Sequence, residues 1–200
     1  MKWRKDAYRD RPKRFLDDTY WQRGVPGFGD PNASLLVVGL APAANGANRT
    51  GRMFTGDRSG DWLYGALYRA GYANQPSSTN ANDGLVLTGA YVTNIVRCAP
   101  PDNKPTPKER DRCIGYFQRE LAALPNVRAI VALGAFAWDG VLRAFPEQKP
   151  KPIFGHGVHV QIGSYGLFGS YHVSQQNTFT GRLTEPMLDA VFAAAKIFPQ

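Results

Sequence analysis

Four apolar runs of strand length punctuate the chain. Leu35-Leu36-Val37-Val38-Gly39-Leu40 has no polar interruption, which suits a strand buried on both faces. Tyr91-Val92-Thr93 sits inside a second run, Leu85 to Val96. Ala129-Ile130-Val131-Ala132-Leu133 ends at Gly134, and Leu167 to Val173 is weakened by Gly169. Helical periodicity fills the gaps. Trp62, Leu63, Ala66, Leu67 and Ala70 share one face of a helix over 61–70, with Gly71 as its stop. Thr106-Pro107-Lys108-Glu109 combines a Thr cap, Pro at the first helical position and the Glu of a capping box. Helices also follow over 135–145 and 184–198. Strands alternating with helices predict an α/β fold: a three-layer αβα sandwich around a central, mostly parallel four-stranded sheet. Ligands of such sheets bind at the carboxyl ends of strands. That rule directs attention to the segments after Leu40, Val92, Leu133 and His172.

Composition adds a partner class. Lys and Arg total 24 against 16 Asp and Glu, a net charge of +8 in 200 residues. The balance favours polyanions, and Arg, the better fork for phosphate, dominates it. Residues 1–23 concentrate charge and aromatics and predict a basic N-terminal arm; residues 24–200 then form a single domain. No run approaches the length of a transmembrane helix, and the charged start does not read as a secretory signal. Two cysteines, Cys98 and Cys113, are too few for a disulfide scaffold. A reducing cytoplasm is the expected compartment.

Two loops carry candidate chemistry. Gly39 to Asp57 follows the first strand and contains four glycines, Gly39, Gly46, Gly51 and Gly56. Glycines allow backbone to approach a ligand, so a phosphate cradle, a catalytic loop and a structural loop all remain open. Neither G-x-x-x-x-G-K-[ST] nor G-x-G-x-x-G is present. The second loop, His172-Val173-Ser174-Gln175-Gln176-Asn177-Thr178-Phe179-Thr180-Gly181-Arg182-Leu183, is dense in amides and hydroxyls. It suits hydrogen bonding to a ligand or a nucleic-acid backbone.

These two loops resemble the first and second motifs of family 5, or type B, of the uracil-DNA glycosylase superfamily. Val25 to Pro31 and Val96 to Pro107 are similar to that family as well, so the resemblance spans nearly the whole chain. It implies a monofunctional DNA-repair glycosylase. Such an enzyme hydrolyses the N-glycosidic bond of uracil, and of other deaminated bases, in duplex DNA after flipping the nucleotide out of the stack.

The resemblance also implies roles. Phe54 is expected to stack on the base, Asn94 to read its edge with an amide that both donates and accepts, and Gly39 and Ala41 to line the base pocket. Asp57, the one carboxylate of the first motif, is expected to stabilise charge on the sugar and orient water; its place before Ser59 and the Trp62 helix also reads as a helix N-cap, and the two roles can coexist. His172 is expected to donate to the leaving base. Asn45 stands where the family usually carries a His, and an amide can hold water but cannot titrate. Arg49, Arg52, Arg58, Ser174, Gln175, Gln176, Asn177 and Arg182 are expected on the DNA surface.

The family implies a [4Fe–4S] cluster held by four cysteines. Cys98 and Cys113 correspond to half of that set, which predicts either a shortened start or a lost cluster. No divalent metal is expected in catalysis, since His156 and His159 form an H-x-x-H pair without the Glu of a metalloprotease. Uracil-containing duplex is the expected partner of a monomer associated with the nucleoid. The competing readings are a catalytically inactive DNA-binding module and a nucleotide-binding enzyme of the same α/β class.

Overall fold

The computed structural model describes residues 3–199. Its spine is β2 (Leu35–Gly39), whose five residues are all buried. β2 pairs in parallel with β3 (Ala90–Asn94) on one side and β4 (Ala129–Leu133) on the other. β4 pairs in parallel with β6 (Tyr165–Ser170). These four strands are the expected parallel core.

The sheet has six strands, not four, in the order β1-β3-β2-β4-β6-β5. β1 (Phe28–Gly29) runs antiparallel to β3, and β5 (His159–Ile162) antiparallel to β6. Both extra strands lie at edges. β1 has two residues and emerges from a Pro/Gly turn cluster, and β5 carries one fully buried side chain, Ile162. Neither offers the continuous apolar run of an interior strand.

Alternation along β2 divides the core. Leu35 and Val37 face α3 (Arg58–Arg69) and α7 (Glu185–Lys196), where Leu63, Leu67, Leu188 and Phe192 close one layer. Leu36 and Val38 face α4 (Pro107–Ala122) and α5 (Ala135–Arg143), where Phe117, Trp138 and Val141 close the other. Burial of each such side chain contributes about 1.5–3 kcal/mol, so both helical layers are needed to cover the sheet. The three-layer sandwich follows.

β6 ends at Ser170 rather than continuing to Val173. His172 therefore lies in the loop beyond the strand, just before the short helix α6 (Gln175–Phe179). The N-terminal segment forms α1 (Trp3–Arg9) and a single 3₁₀ turn over Lys13–Phe15. Tyr20 is buried. The Trp21 and Gln22 amides donate to the carbonyls of Arg49 and Asn48, both within the short helix α2 (Ala47–Thr50).

The capping box at α4 forms as its sequence predicts. Thr106 Oγ1 accepts from the Glu109 amide, and Glu109 Oε2 accepts from the Thr106 amide. Thr106→Ala is expected to cost about 1 kcal/mol of stability, read as a lower denaturant midpoint with an unchanged m-value.

Candidate active site

The carboxyl ends of β2 and β3 and the loop after β6 converge on a cavity of about 530 Å³, lined by Ala41, Phe54, Asp57, Asn94 and His172 among others. Ser174, Gln175, Gln176 and Arg58 also line it. A second cavity of about 520 Å³ shares Ala43, Asp57, Arg58 and Gln175 with the first and reaches Asn45, Arg14 and Phe15. Asp57 thus stands between the two.

Gly39 ends β2 where any side chain would collide with Asn94 Oδ1 and the Phe54 ring. Its lack of a Cβ is what brings those two groups together over the strand end. Asn94 is buried; its Nδ2 donates to Met53 Sδ at 3.0 Å, while its Oδ1 has no partner. Leaving a buried acceptor unmet costs about 1–3 kcal/mol, and here the unmet acceptor belongs to a cavity-lining residue.

Phe54 adopts φ +50°, a left-handed backbone that a bulky residue rarely takes and that costs about 1–3 kcal/mol. Its ring is buried and lies 6.2 Å from the His172 ring, centroid to centroid, at an interplanar angle of 34°. The cavity thus has an aromatic wall on one side and an imidazole beside it. The His172 side chain makes no hydrogen bond among the described residues, so its nitrogens are free for a ligand. Burial pushes its pKa down to about 4, leaving a neutral imidazole at physiological pH. The carbonyl of His172 accepts from Asn177 Nδ2 at 2.8 Å.

Asp57 is the N-cap of α3: its Oδ1 accepts from the Gly60 amide at 3.1 Å. Burial raises its pKa above the usual 3.8, against the lowering effect of the Gly60 and Ser59 amides. The capping and the cavity-facing positions coexist in one carboxyl group. Gly46 packs against that group so closely that a Cβ would collide with Asp57 Oδ2.

Asn45 lines the second cavity and not the first. Its Oδ1 accepts from the Tyr20 hydroxyl at 2.8 Å, so the N-terminal segment occupies one of its valences. Asn103 lines the first cavity and receives the Ala44 amide at 3.1 Å. Neither Gly46 nor Asn103 was legible in advance. Gly46 is one of several glycines in its loop, and Asn103 arrives from a separate Pro-rich turn.

Arg52 is a correction. It was expected at the DNA surface, yet its side chain is only 5% exposed. Nε donates to Thr55 Oγ1, and the guanidinium engages both oxygens of Asp83 at 2.8 and 2.7 Å and Ser78 Oγ at 3.0 Å. A guanidinium buried and paired in this way is not placed to hold a phosphate. Arg49 is likewise engaged, donating to Asp18 at 2.7 Å and to the carbonyls of Asn45 and Gly56. Arg58 and Arg182 are exposed, stacked over Phe179 and Tyr171. Gln175 and Gln176 are exposed at the cavity mouth.

Cys98 and Cys113 are both free and buried on a separate cavity lined by Arg4, Arg97 and Arg112. Arg4 Nη1 donates to Cys98 Sγ at 3.3 Å. Among the described residues no three His, Cys, Asp or Glu gather as a metal-binding group. Two thiols facing arginines do not by themselves fit a four-ligand cluster. His156 and His159 also diverge: His156 Nδ1 accepts from the Tyr171 amide, and His159 stacks on Phe168. No helix among the described residues is long and apolar enough to cross a membrane.

Fold and cavity together define an α/β protein with a polar ligand site at the carboxyl edge of its sheet. The family model of the uracil DNA glycosylase superfamily matches residues 26–196. A type-5 uracil-DNA glycosylase of Mycobacterium tuberculosis is 53% identical over 199 residues, covering 98% of this chain and 74% of that protein. The type-5 enzyme of Thermus thermophilus is 49% identical over 195 residues, covering 97% of this chain and 88% of that protein. The chain belongs to the type-5 uracil-DNA glycosylases. A solution structure from Methanosarcina acetivorans shares the fold, with a TM-score of 0.50 at 17% identity over 87% of this chain and 98% of that one.

Two outcomes follow from burial. The unfolded His172 binds a proton near pH 6.5, whereas the native one binds it only near 4. Its contribution to stability is therefore complete above pH 6.5 and is lost as pH falls from 6.5 towards 4. His172→Gln should flatten that part of the Tm-against-pH curve. Gly46→Ala should displace the Asp57 carboxyl, slow the reaction by up to roughly 10²-fold and, because that carboxyl caps α3, lower stability by about 1 kcal/mol.

Proposed function

We infer that the chain hydrolyses the N-glycosidic bond of uracil, and of related deaminated bases, in duplex DNA. The observation that carries this reading is the unpartnered Asn94 Oδ1, buried beside the Phe54 ring. It is an acceptor awaiting a donor, and the N3–H of a flipped uracil is such a donor. The base lies against Phe54, a contact worth roughly 1–3 kcal/mol.

Water adds at C1′ of the sugar as the bond to N1 breaks, and the bonding pair leaves with the base. Positive charge grows on the sugar and negative charge on the uracil. Asp57, ionised, stabilises the first and accepts the proton of the incoming water. Its raised pKa makes it a better base than an exposed carboxylate. His172, neutral, donates an N–H to O2 of the departing uracil. Because the imidazole is already desolvated, little reorganisation is needed to meet that charge. The side chains supply each of these functions, so release is expected to persist in EDTA.

Arg58, Gln175 and Gln176 at the cavity and the exposed Arg182 over Tyr171 hold the flanking strand; Arg52 and Asn177 act from within the protein. A reducing cytoplasm with access to the chromosome is the matching location.

Single-turnover release from a labelled uracil duplex tests the roles. Asp57→Asn and His172→Ala should each slow it by at least about 10². The wild-type rate should fall as pH drops through the raised Asp57 pKa, and Asp57→Asn should lose that limb. An acid limb that persists in Asp57→Asn and is lost in His172→Ala would contradict the neutral imidazole. For the DNA grip, Arg182→Ala should weaken binding to damaged and undamaged duplex alike and reduce the salt slope by about one ion. An unchanged slope would remove Arg182 from the interface.

A further inference from the structure

The left-handed backbone at Phe54 needs an agent, because strain of that kind persists only where the surroundings over-determine it. The residues on either side of Phe54 show what does so. The Met53 carbonyl receives the Tyr64 hydroxyl at 2.7 Å and the Thr55 hydroxyl at 3.1 Å. Thr55 Oγ1 in turn sits 2.9 Å from Arg52 Nε and 2.6 Å from Ser78 Oγ. Arg52 closes the circuit on Asp83, whose side chain is 8% exposed.

Asp83 is itself an organising centre. Its oxygens accept from the amides of Thr79, Asn80 and Leu85. The segment 78–85 is thereby wrapped around one carboxylate, and the Gly56 amide binds it again through the Ser78 carbonyl. Burial would raise the Asp83 pKa, but the Arg52 hydrogen bond and the three amides outweigh it and hold it down to about 2. Neither Arg52 nor Asp83 lines the base cavity.

We propose that the buried Arg52–Asp83 pair is a positioning device for Phe54, clamping residues 52–56 to segment 78–85 so that the ring stays at the cavity wall beside His172. The pair touches neither base nor DNA. It rests on the reading of Phe54 as the stacking face, and it extends the reacting assembly to a segment outside both motif loops. Its effect belongs to base capture and not to the grip on undamaged duplex.

The test combines a structural readout with a double-mutant cycle. Asp83→Asn keeps the shape of the carboxylate and removes its charge. Arg52→Lys keeps a charge and removes the fork, and serves if Asp83→Asn fails to fold. Nuclear Overhauser contacts between the Phe54 and His172 rings report ring placement. Single-turnover uracil release, and affinity for undamaged duplex, are measured well below each variant's Tm.

Asp83→Asn should weaken the ring–ring contacts and slow release by roughly five- to 150-fold, the range a lost base–aromatic stack spans. Affinity for undamaged duplex should stay within about twofold. In a Phe54→Ala background the same substitution should add little further loss. Intact ring contacts in Asp83→Asn, or equal slowing with and without the Phe54 ring, would overturn the proposal. Displaced ring contacts together with full release by Phe54→Ala would uphold the positioning and instead refute the stacking role.

Discussion

Everything in this protein hangs on the burial of β2 from both sides. Leu35 and Val37 enter one helical layer, and Leu36 and Val38 the other. A strand committed in this way cannot shift register by one residue without exchanging the two cores. Its carboxyl end is therefore a fixed point, and Gly39 stands at that point. The chain leaves the sheet there, and its return through Phe54 and Asp57 is built against an immobile edge. β3 ends alongside with Asn94, and the loop after β6 brings His172 to the same edge. Rigid strands thus set the positions of groups that sit mostly in loops.

The same desolvation acts on both titratable groups of the cavity and moves them in opposite directions. It raises Asp57 and lowers His172, in each case favouring the uncharged form. For the imidazole this is compatible with the proposed chemistry, since the neutral ring keeps one N–H to donate to the anionic leaving group. For the carboxyl it works against ionisation, and the amides at the start of α3 restore part of the balance. The N-cap role of Asp57 is therefore not a rival of the catalytic role. The helix end that it caps is what keeps the carboxylate available.

Much of this was legible in the residues. The four central strands, the capping box at Thr106 and the convergence of Phe54, Asp57, Asn94 and His172 on one cavity all follow from pattern and resemblance. The edge strands did not, because β1 has two residues and β5 is largely exposed. The arginines divide for a different reason. Arg52 and Arg58 stand in the same glycine-rich region with the same chemistry, and nothing local separates a buried structural cation from a surface one. The separation is made by Asp83, far along the chain, whose partnership only the folded structure shows. Asn177 is similar: an amide in a polar loop reads as a surface contact until its bond to the His172 carbonyl is seen.

The bond from the Tyr20 hydroxyl to Asn45, with the Trp21 and Gln22 amides on the carbonyls of Arg49 and Asn48, makes the N-terminal segment a wall of the second cavity. Local opening of that segment breaks the bonds it makes to Asn45, Asn48 and Arg49. Thermodynamic linkage makes the relation reciprocal: whatever binds only the closed form must also deepen the protection of the segment, by an amount set by its own concentration and affinity. Hydrogen exchange at the Trp21 and Gln22 amides would slow on adding any ligand that binds only the closed form, although neither residue lines the base cavity.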